Sequence, residues 1–161
     1  MDRRLLEQLY RAYYRELYLY IFSFCKNPAL AEDLLQETFL KAILSLPDSH
    51  TNMRAWLYRV ARNLSINAMK KSSPPAAAEI EDTPDPDGDP LANILQKEQY
   101  RTLYQALQNL PKIRREILIM RYFGRLSYKE IAAVLQTTPG NVRVAAARAR
   151  AEMKKYMEGE K

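Results

Sequence analysis

The chain has 161 residues, 47% of them hydrophobic, and carries 25 lysines and arginines against 19 acids for a formal net charge of +6. That length suits one ordinary domain or two small ones, and the apolar content supports packed cores rather than a chain disordered throughout. No apolar run approaches the ~20 residues that span a bilayer, the N-terminal MDRRLLEQLYRAYYRELY lacks the apolar core of a secretion signal, and the single cysteine, Cys25, excludes an internal disulfide, so a cytoplasmic protein without membrane insertion is expected.

The first helix is expected from about Asp2 to Cys25, where Leu6, Leu9, Tyr13, Leu17, Tyr20 and Phe24 recur at steps of three and four and form one apolar stripe. Five tyrosines lie between Tyr10 and Tyr20. A mostly buried amphipathic face with hydroxyls reaching water is the ordinary reading, and a base-stacking platform the alternative. Cys25 follows Ile21, Phe22 and Phe24 and reads as a small core residue rather than a nucleophile.

Asn27-Pro28 is an N-cap and first-position pair that opens a second helix to about Leu44. Its Leu34, Leu35, Thr38 and Phe39 point to a core, and Asp33, Gln36, Glu37 and Lys41 lie on the surface. A polar loop from Pro47 to Met53 follows. The third helix runs from Arg54 to about Lys71 and holds five bases and no acid. Leu57, Val60, Ala61, Leu64 and Ala68 share one face, with Arg59, Arg62, Asn63 and Lys70 opposite and Trp56 at the edge. Cations interleaved with an amide and an aromatic suit a nucleic-acid surface, including unpaired bases that stack on rings. Trp56 reads equally well as an anchor to a neighbouring helix.

Residues 72–92 hold six acids, no base and five of the nine prolines, with no usable periodicity. They read as a flexible acidic linker. A carboxylate metal site there would lack anything to hold it in register, and transient masking of basic faces is a further possibility. Residues 1–71 hold 11 bases and 7 acids, and residues 93–161 hold 14 bases and 6 acids. Two basic modules thus flank the linker, and both favour a polyanion through salt-sensitive attraction.

After the linker a helix is expected from about Asn93 to Asn109, a break at Leu110-Pro111, and a helix from about Lys112 to Phe123 that Gly124 ends as a left-handed cap. A helix-turn-helix then fills Leu126 to Lys155. Ser127 caps its first helix and Glu130 completes a capping box, while Ile131, Val134 and Leu135 give a buried face. Gln136-Thr137-Thr138 makes the turn, Thr138 caps the next helix and Pro139 takes its first position. In that second helix Val142, Ala146, Ala149 and Met153 form a core stripe, and Arg143, Ala147, Arg150 and Lys154 a second stripe on another face. A helix that packs by one side and presents small and cationic residues on the other can enter a DNA major groove. A solvated basic surface is the plainer reading. No segment shows strand-like alternation, so an all-α protein is expected, with two small helical domains (1–71 and 93–161) joined by the linker.

No enzyme is visible. The four glycines are scattered, one histidine and one cysteine cannot make a zinc site, and no nucleophile sits in a recognisable motif. His50 reads as exposed in its polar loop. No catalytic residue, metal, cofactor or small-molecule substrate is expected.

Three ordered motifs carry a family resemblance: AEDLLQETFLKAI (Ala31 to Ile43), RAWLYRVARNLSINAMKK (Arg54 to Lys71) and LPKIRREILIMRYFGRLSYKEIAAVLQTTPGNV (Leu110 to Val142). They resemble bacterial RNA polymerase sigma factors of the extracytoplasmic-function group, over nearly the whole chain outside the linker. The resemblance implies a first domain that binds the polymerase clamp helices and melts the minus-ten promoter element, and a second that binds the polymerase flap and the minus-thirty-five element. Asp33, Gln36 and Glu37 would then face the clamp. The loop with Ser49, His50, Thr51 and Asn52 would capture a flipped base, while Arg54, Arg59, Arg62 and Asn63, beside Trp56, would hold the melting strand. Arg143, Val144, Ala147 and Arg148 would meet the minus-thirty-five element, flanked by Thr138, Asn141 and Arg150, and Arg125, Tyr128 and Lys129 would hold phosphates. An anti-sigma factor is an expected partner. The family's usual GTVKSRLxRAR is here GNVRVAAARAR, so Val144 stands for the serine and Ala145 for the arginine after it. Base reading would rest on fewer polar contacts and more on DNA shape. A stand-alone DNA-binding regulator, or a module that occupies polymerase without reading a promoter, are the competing functions. The clamp-like motif disfavours the first and the basic recognition helix the second.

Overall fold

The computed structural model describes residues 3–45, 52–71 and 98–159, and every regular element among them is a helix. The chain divides into two compact units between Leu91 and Ala92. The expected linker, the loop residues Ser49, His50 and Thr51, and the expected start of the fourth helix at residues 93–97 lie outside the described residues.

In the first unit α1 (Arg3–Cys25), α2 (Pro28–Leu44) and α3 (Met53–Lys71) each pack on the other two. Asn27 has extended backbone and its Oδ1 accepts the Leu30 N–H at 3.1 Å, with Pro28 in the first turn. Lys26 takes φ 53°, and this left-handed residue reverses the chain between α1 and α2. The expected stripe of α1 holds at Leu9, Leu17 and Tyr20, whereas Leu6, Tyr13 and Phe24 are only half-buried. In its C-terminal half α1 is buried all round, from Leu17 through Ile21. A helix buried on every side needs cover on two faces, and α2 and α3 provide it. Tyr20 meets Tyr58 of α3 with ring centroids 5.0 Å apart, and Tyr10 meets Phe39 of α2 at 5.2 Å. The tyrosines therefore serve the core. Each fully buried large side chain contributes about 1.5–3 kcal/mol, so truncating Leu17 or Tyr20 would loosen the whole unit.

In the second unit α7 (Pro139–Gly159) is the spine. It packs on α4 (Glu98–Leu107), α5 (Lys112–Leu118) and α6 (Tyr128–Leu135). Its expected core stripe of Val142, Ala146, Ala149 and Met153 is buried at every position. An ion pair between Arg114 and Glu152 joins α5 to α7 at the surface.

Two expectations need correction here. The helix expected to run unbroken to Phe123 changes at Ile119 to one wider π turn, Ile119–Phe123, in which the Gly124 N–H donates to the Ile119 carbonyl at 3.1 Å. Gly124 is right-handed (φ −87°), and the left-handed residue is Arg125 (φ 57°). The π turn inserts one residue into the helical ladder, so the reversal falls one residue later. No helix among the described residues is long and apolar enough to cross a membrane.

Candidate nucleic-acid interface

The helix pair α6–α7 is built by local chemistry. The Ser127 N–H donates to Glu130 Oε1 at 2.7 Å and the Glu130 N–H to Ser127 Oγ at 3.1 Å, a complete capping box. At the other end of α6 Gln136 is left-handed (φ 60°, ψ 51°), which turns the chain within three residues. Thr138 Oγ1 then accepts the Asn141 N–H at 3.1 Å and caps α7, while the Asn141 side-chain amide donates to Thr137 Oγ1 at 2.9 Å. Both threonines and Asn141 are thus spent partly on the turn itself.

With the core stripe of α7 turned inward, helical spacing places Gly140, Val144, Ala147 and Ala151 on the far side. Arg143, Arg150 and Lys154 border this strip on one side, and Asn141, Arg148 and Lys155 on the other. All are exposed, Val144 by 52%. Small side chains along the centre let the backbone approach base edges, and an exposed valine offers apolar contact to a thymine methyl. Cations on both borders can reach the two phosphate walls of a groove.

Tyr128 gathers the neighbouring arginines. Its ring lies under the Arg121 guanidinium at 4.7 Å and near that of Arg143 at 5.9 Å, and its hydroxyl accepts from Arg150 Nη1 at 3.0 Å. Arg121 also donates to the Leu126 carbonyl at 3.0 Å. The Tyr128 hydroxyl raises the Arg150 pKa, against slight burial and with help from Tyr122. Arg125 and Lys129 are exposed nearby in sequence. Arg121 is absent from the sequence-derived candidates, because its approach to Tyr128 depends on the π turn.

In the first unit Arg59 and Asn63 are exposed and Arg62 is half-exposed on α3. Arg54 behaves differently. Its Nε lies 3.3 Å from Glu16 Oε1 and its Nη2 3.4 Å from Oε2, and the guanidinium covers the Tyr13 ring at 5.1 Å. Tyr58 donates to the same carboxylate at 3.0 Å. The Trp56 indole N–H donates to the Ala42 carbonyl at 3.1 Å, so Trp56 anchors α3 to α2 and keeps only part of its ring exposed. Asn52 Oδ1 caps α3 by accepting the Ala55 N–H at 3.0 Å.

Asp33, Gln36 and Glu37 are exposed along one side of α2. Leu40 and Leu44 continue that strip, 49% and 75% exposed, an apolar extension that motif reading missed. Beside it a groove of about 430 Å³ between α1 and α2 is lined by Leu6, Tyr10, Phe39 and Leu40 among others. Cys25 is half-buried, and burial pushes its thiol pKa up, away from a nucleophile. Among the described residues no group of three or more His, Cys, Asp or Glu could hold a metal ion.

Comparison with known proteins covers both units. Residues 9–74 match the family description "Sigma-70 region 2" and residues 100–153 match "Sigma-70, region 4". The chain is 35% identical over 161 residues to the RNA polymerase sigma factor YlaC of Bacillus subtilis (strain 168), covering 94% of this chain and 91% of that one. It is 30% identical over 155 residues to the ECF RNA polymerase sigma factor SigM of the same organism, covering 92% and 93%. Its fold is similar to that of the sigma factor RpoE of Bartonella quintana, solved with the anti-sigma factor NepR, with a TM-score of 0.69 at 21% identity, covering 96% of this chain and 98% of that one.

Proposed function

The chain belongs to the extracytoplasmic-function group of bacterial RNA polymerase sigma factors, and from that membership we propose how its residues divide the work. As a sigma factor it binds core polymerase and promoter DNA and directs transcription initiation. In the proposed division α7 enters the major groove of the minus-thirty-five element. Arg143, Val144, Ala147 and Arg148 meet base edges, Arg150 and Lys154 reach phosphates, and Arg125 and Lys129 hold the backbone beside the start of α6. The observation that supports this reading is the exposed strip of α7, small along its centre and cationic at both borders.

On the first unit Arg59, Arg62 and Asn63 hold the melting strand, and the loop with Ser49, His50 and Thr51 receives an extruded base at a cost of a few kcal/mol. Asn52 and Arg54 act from behind, by fixing the start of α3, and Trp56 holds α3 against α2. Asp33, Gln36 and Glu37, with Leu40 and Leu44, face the clamp, and the second unit meets the flap. The basic faces also suit an inhibitory anti-sigma factor such as the one bound by the Bartonella relative. Co-purification from the host should then yield core polymerase and one small additional protein.

Binding of the holoenzyme to cognate and scrambled duplexes, titrated with salt, tests the assignment of α7. Arg148→Ala is expected to cost roughly 1–3 kcal/mol at the cognate element and to relax base preference. Lys154→Ala should weaken all sequences nearly equally and lower the salt slope by about one unit. If Arg148→Ala lost the same affinity on both duplexes, α7 would be a phosphate clamp without base reading.

A further inference from the structure

We propose that Tyr128 is a positioning residue for promoter contact, its hydroxyl fixing Arg150 and its ring fixing Arg143 before DNA arrives. The inference rests on the reading of α7 as the groove-entering helix. Three observations carry it. The Arg150 guanidinium spends one N–H on the Tyr128 hydroxyl, 3.0 Å away, and is also engaged by Tyr122; an arginine has five N–H donors in a rigid fork, so donors remain for a phosphate. The Arg143 guanidinium lies 5.9 Å from the centre of the same ring, on which Arg121 sits at 4.7 Å. Among the described residues no carboxylate pairs with Arg143 or Arg150, so the two guanidiniums gathered on Tyr128 keep donors for an outside anion.

The physical gain is preorganisation. Long cationic side chains lose rotamer freedom when they bind, and a side chain already held loses less. Arg143 and Arg150 lie seven residues apart on one border of α7, two helical turns, and Tyr128 stands at the start of the neighbouring helix with reach to both. The π turn at Ile119–Phe123 completes the cluster by bringing Arg121 onto the ring and Tyr122 close to Arg150. The family resemblance implies Tyr128 as a phosphate contact. The geometry points instead to a hydroxyl already engaged by Arg150, acting on DNA through that arginine.

Holoenzyme binding to a promoter fragment, read by fluorescence anisotropy, tests the proposal with single and double variants. Tyr128→Phe keeps the ring and removes only the hydroxyl. It should weaken binding roughly three- to tenfold, the loss expected when one long side chain must be ordered anew, and leave the melting temperature nearly unchanged. In an Arg150→Ala background the same change should have no effect, because the residue it positions is gone. Tyr128→Ala should weaken binding further than Tyr128→Phe, and that additional loss should vanish in an Arg143→Ala background. Equal losses from Tyr128→Phe with and without Arg150 would overturn the proposal in favour of direct DNA contact by the hydroxyl, and no loss in either background would overturn it outright. If neither Arg143→Ala nor Arg150→Ala weakened binding, the reading of α7 would fall first and the proposal with it.

Discussion

Glu16 of α1 holds two side chains of α3, Arg54 and Tyr58, that lie 38 and 42 residues later in sequence. Its carboxylate accepts from the Tyr58 hydroxyl and from Arg54 Nη2 and lies at ion-pair distance from Arg54 Nε, and its side chain is only 12% exposed. Removing it would leave a buried phenol and a partly buried cation without their acceptor. Glu16→Ala should destabilise the first unit by about 2–3 kcal/mol, less than a fully buried pair because Arg54 keeps contact with water. Urea denaturation of the full chain measures this, and a loss near zero would mean that the network does not fasten α3. Tyr58 adds a pH dependence. Burial, then the neighbouring Glu16 charge and hydrogen bond, push its pKa well above 10.0, with Arg54 opposing. The folded state therefore keeps the phenol proton at a pH where the unfolded chain loses it. That contribution is fully present below pH 10 and is lost as pH rises from there toward the folded value. Tyr10 shifts in the same direction. Stability should fall above pH ~10, and Tyr58→Phe should flatten the fall. An unchanged alkaline slope in that variant would assign the effect to other groups.

At the scale of the element, α6 shows how little holds the helix pair in place. Eight residues are too few for a helix to persist alone in water, so α6 depends on its capping box and on the burial of Ile131, Ala132 and Val134. Ser127→Ala should cost about 1 kcal/mol and speed hydrogen exchange at the first amides of α6, with α7 much less affected. Equal acceleration in both helices would show that the pair melts as one cooperative body. Such caps were legible in sequence because they are local: Asn27, the Ser127–Glu130 pair and Thr138 all act within four residues. The core stripe of α7 was legible for the same reason. The π turn was not, because IMRYF is an ordinary helical string and nothing in it marks the residue at which the ladder widens. Gly124 drew the left-handed assignment that Arg125 takes. Arg54 looked like one more cation on a basic helix, since its partner Glu16 lies 38 residues earlier. The Arg121–Tyr128 contact was hidden by the same π turn. Chemistry set by near neighbours could be read ahead, and chemistry set by the approach of two helices could not.

For the whole molecule the decisive quantity is reach. In the proposed division of work the two units read two promoter elements whose names place them about 25 base pairs apart, on the order of 85 Å along the duplex. A compact unit of roughly 70 residues has a radius of about 14 Å, so two of them leave on the order of 57 Å to be crossed. Residues 72–92 form a 21-residue segment, which fully extended reaches at most about 70–75 Å. Deleting ten residues would cut the maximum reach to about 40 Å, short of the gap. Transcription from promoters of normal spacing should then collapse, while binding to an isolated minus-thirty-five duplex stays as it was. Replacing the six acids by serine should leave reach nearly intact and strengthen non-specific DNA binding, because repulsion from phosphates is gone. Run-off transcription on templates with the two elements moved closer together completes the test. Activity regained by the shortened protein on those templates would show that length alone was limiting, and full activity of the shortened protein at normal spacing would mean that the two units do not read one promoter together.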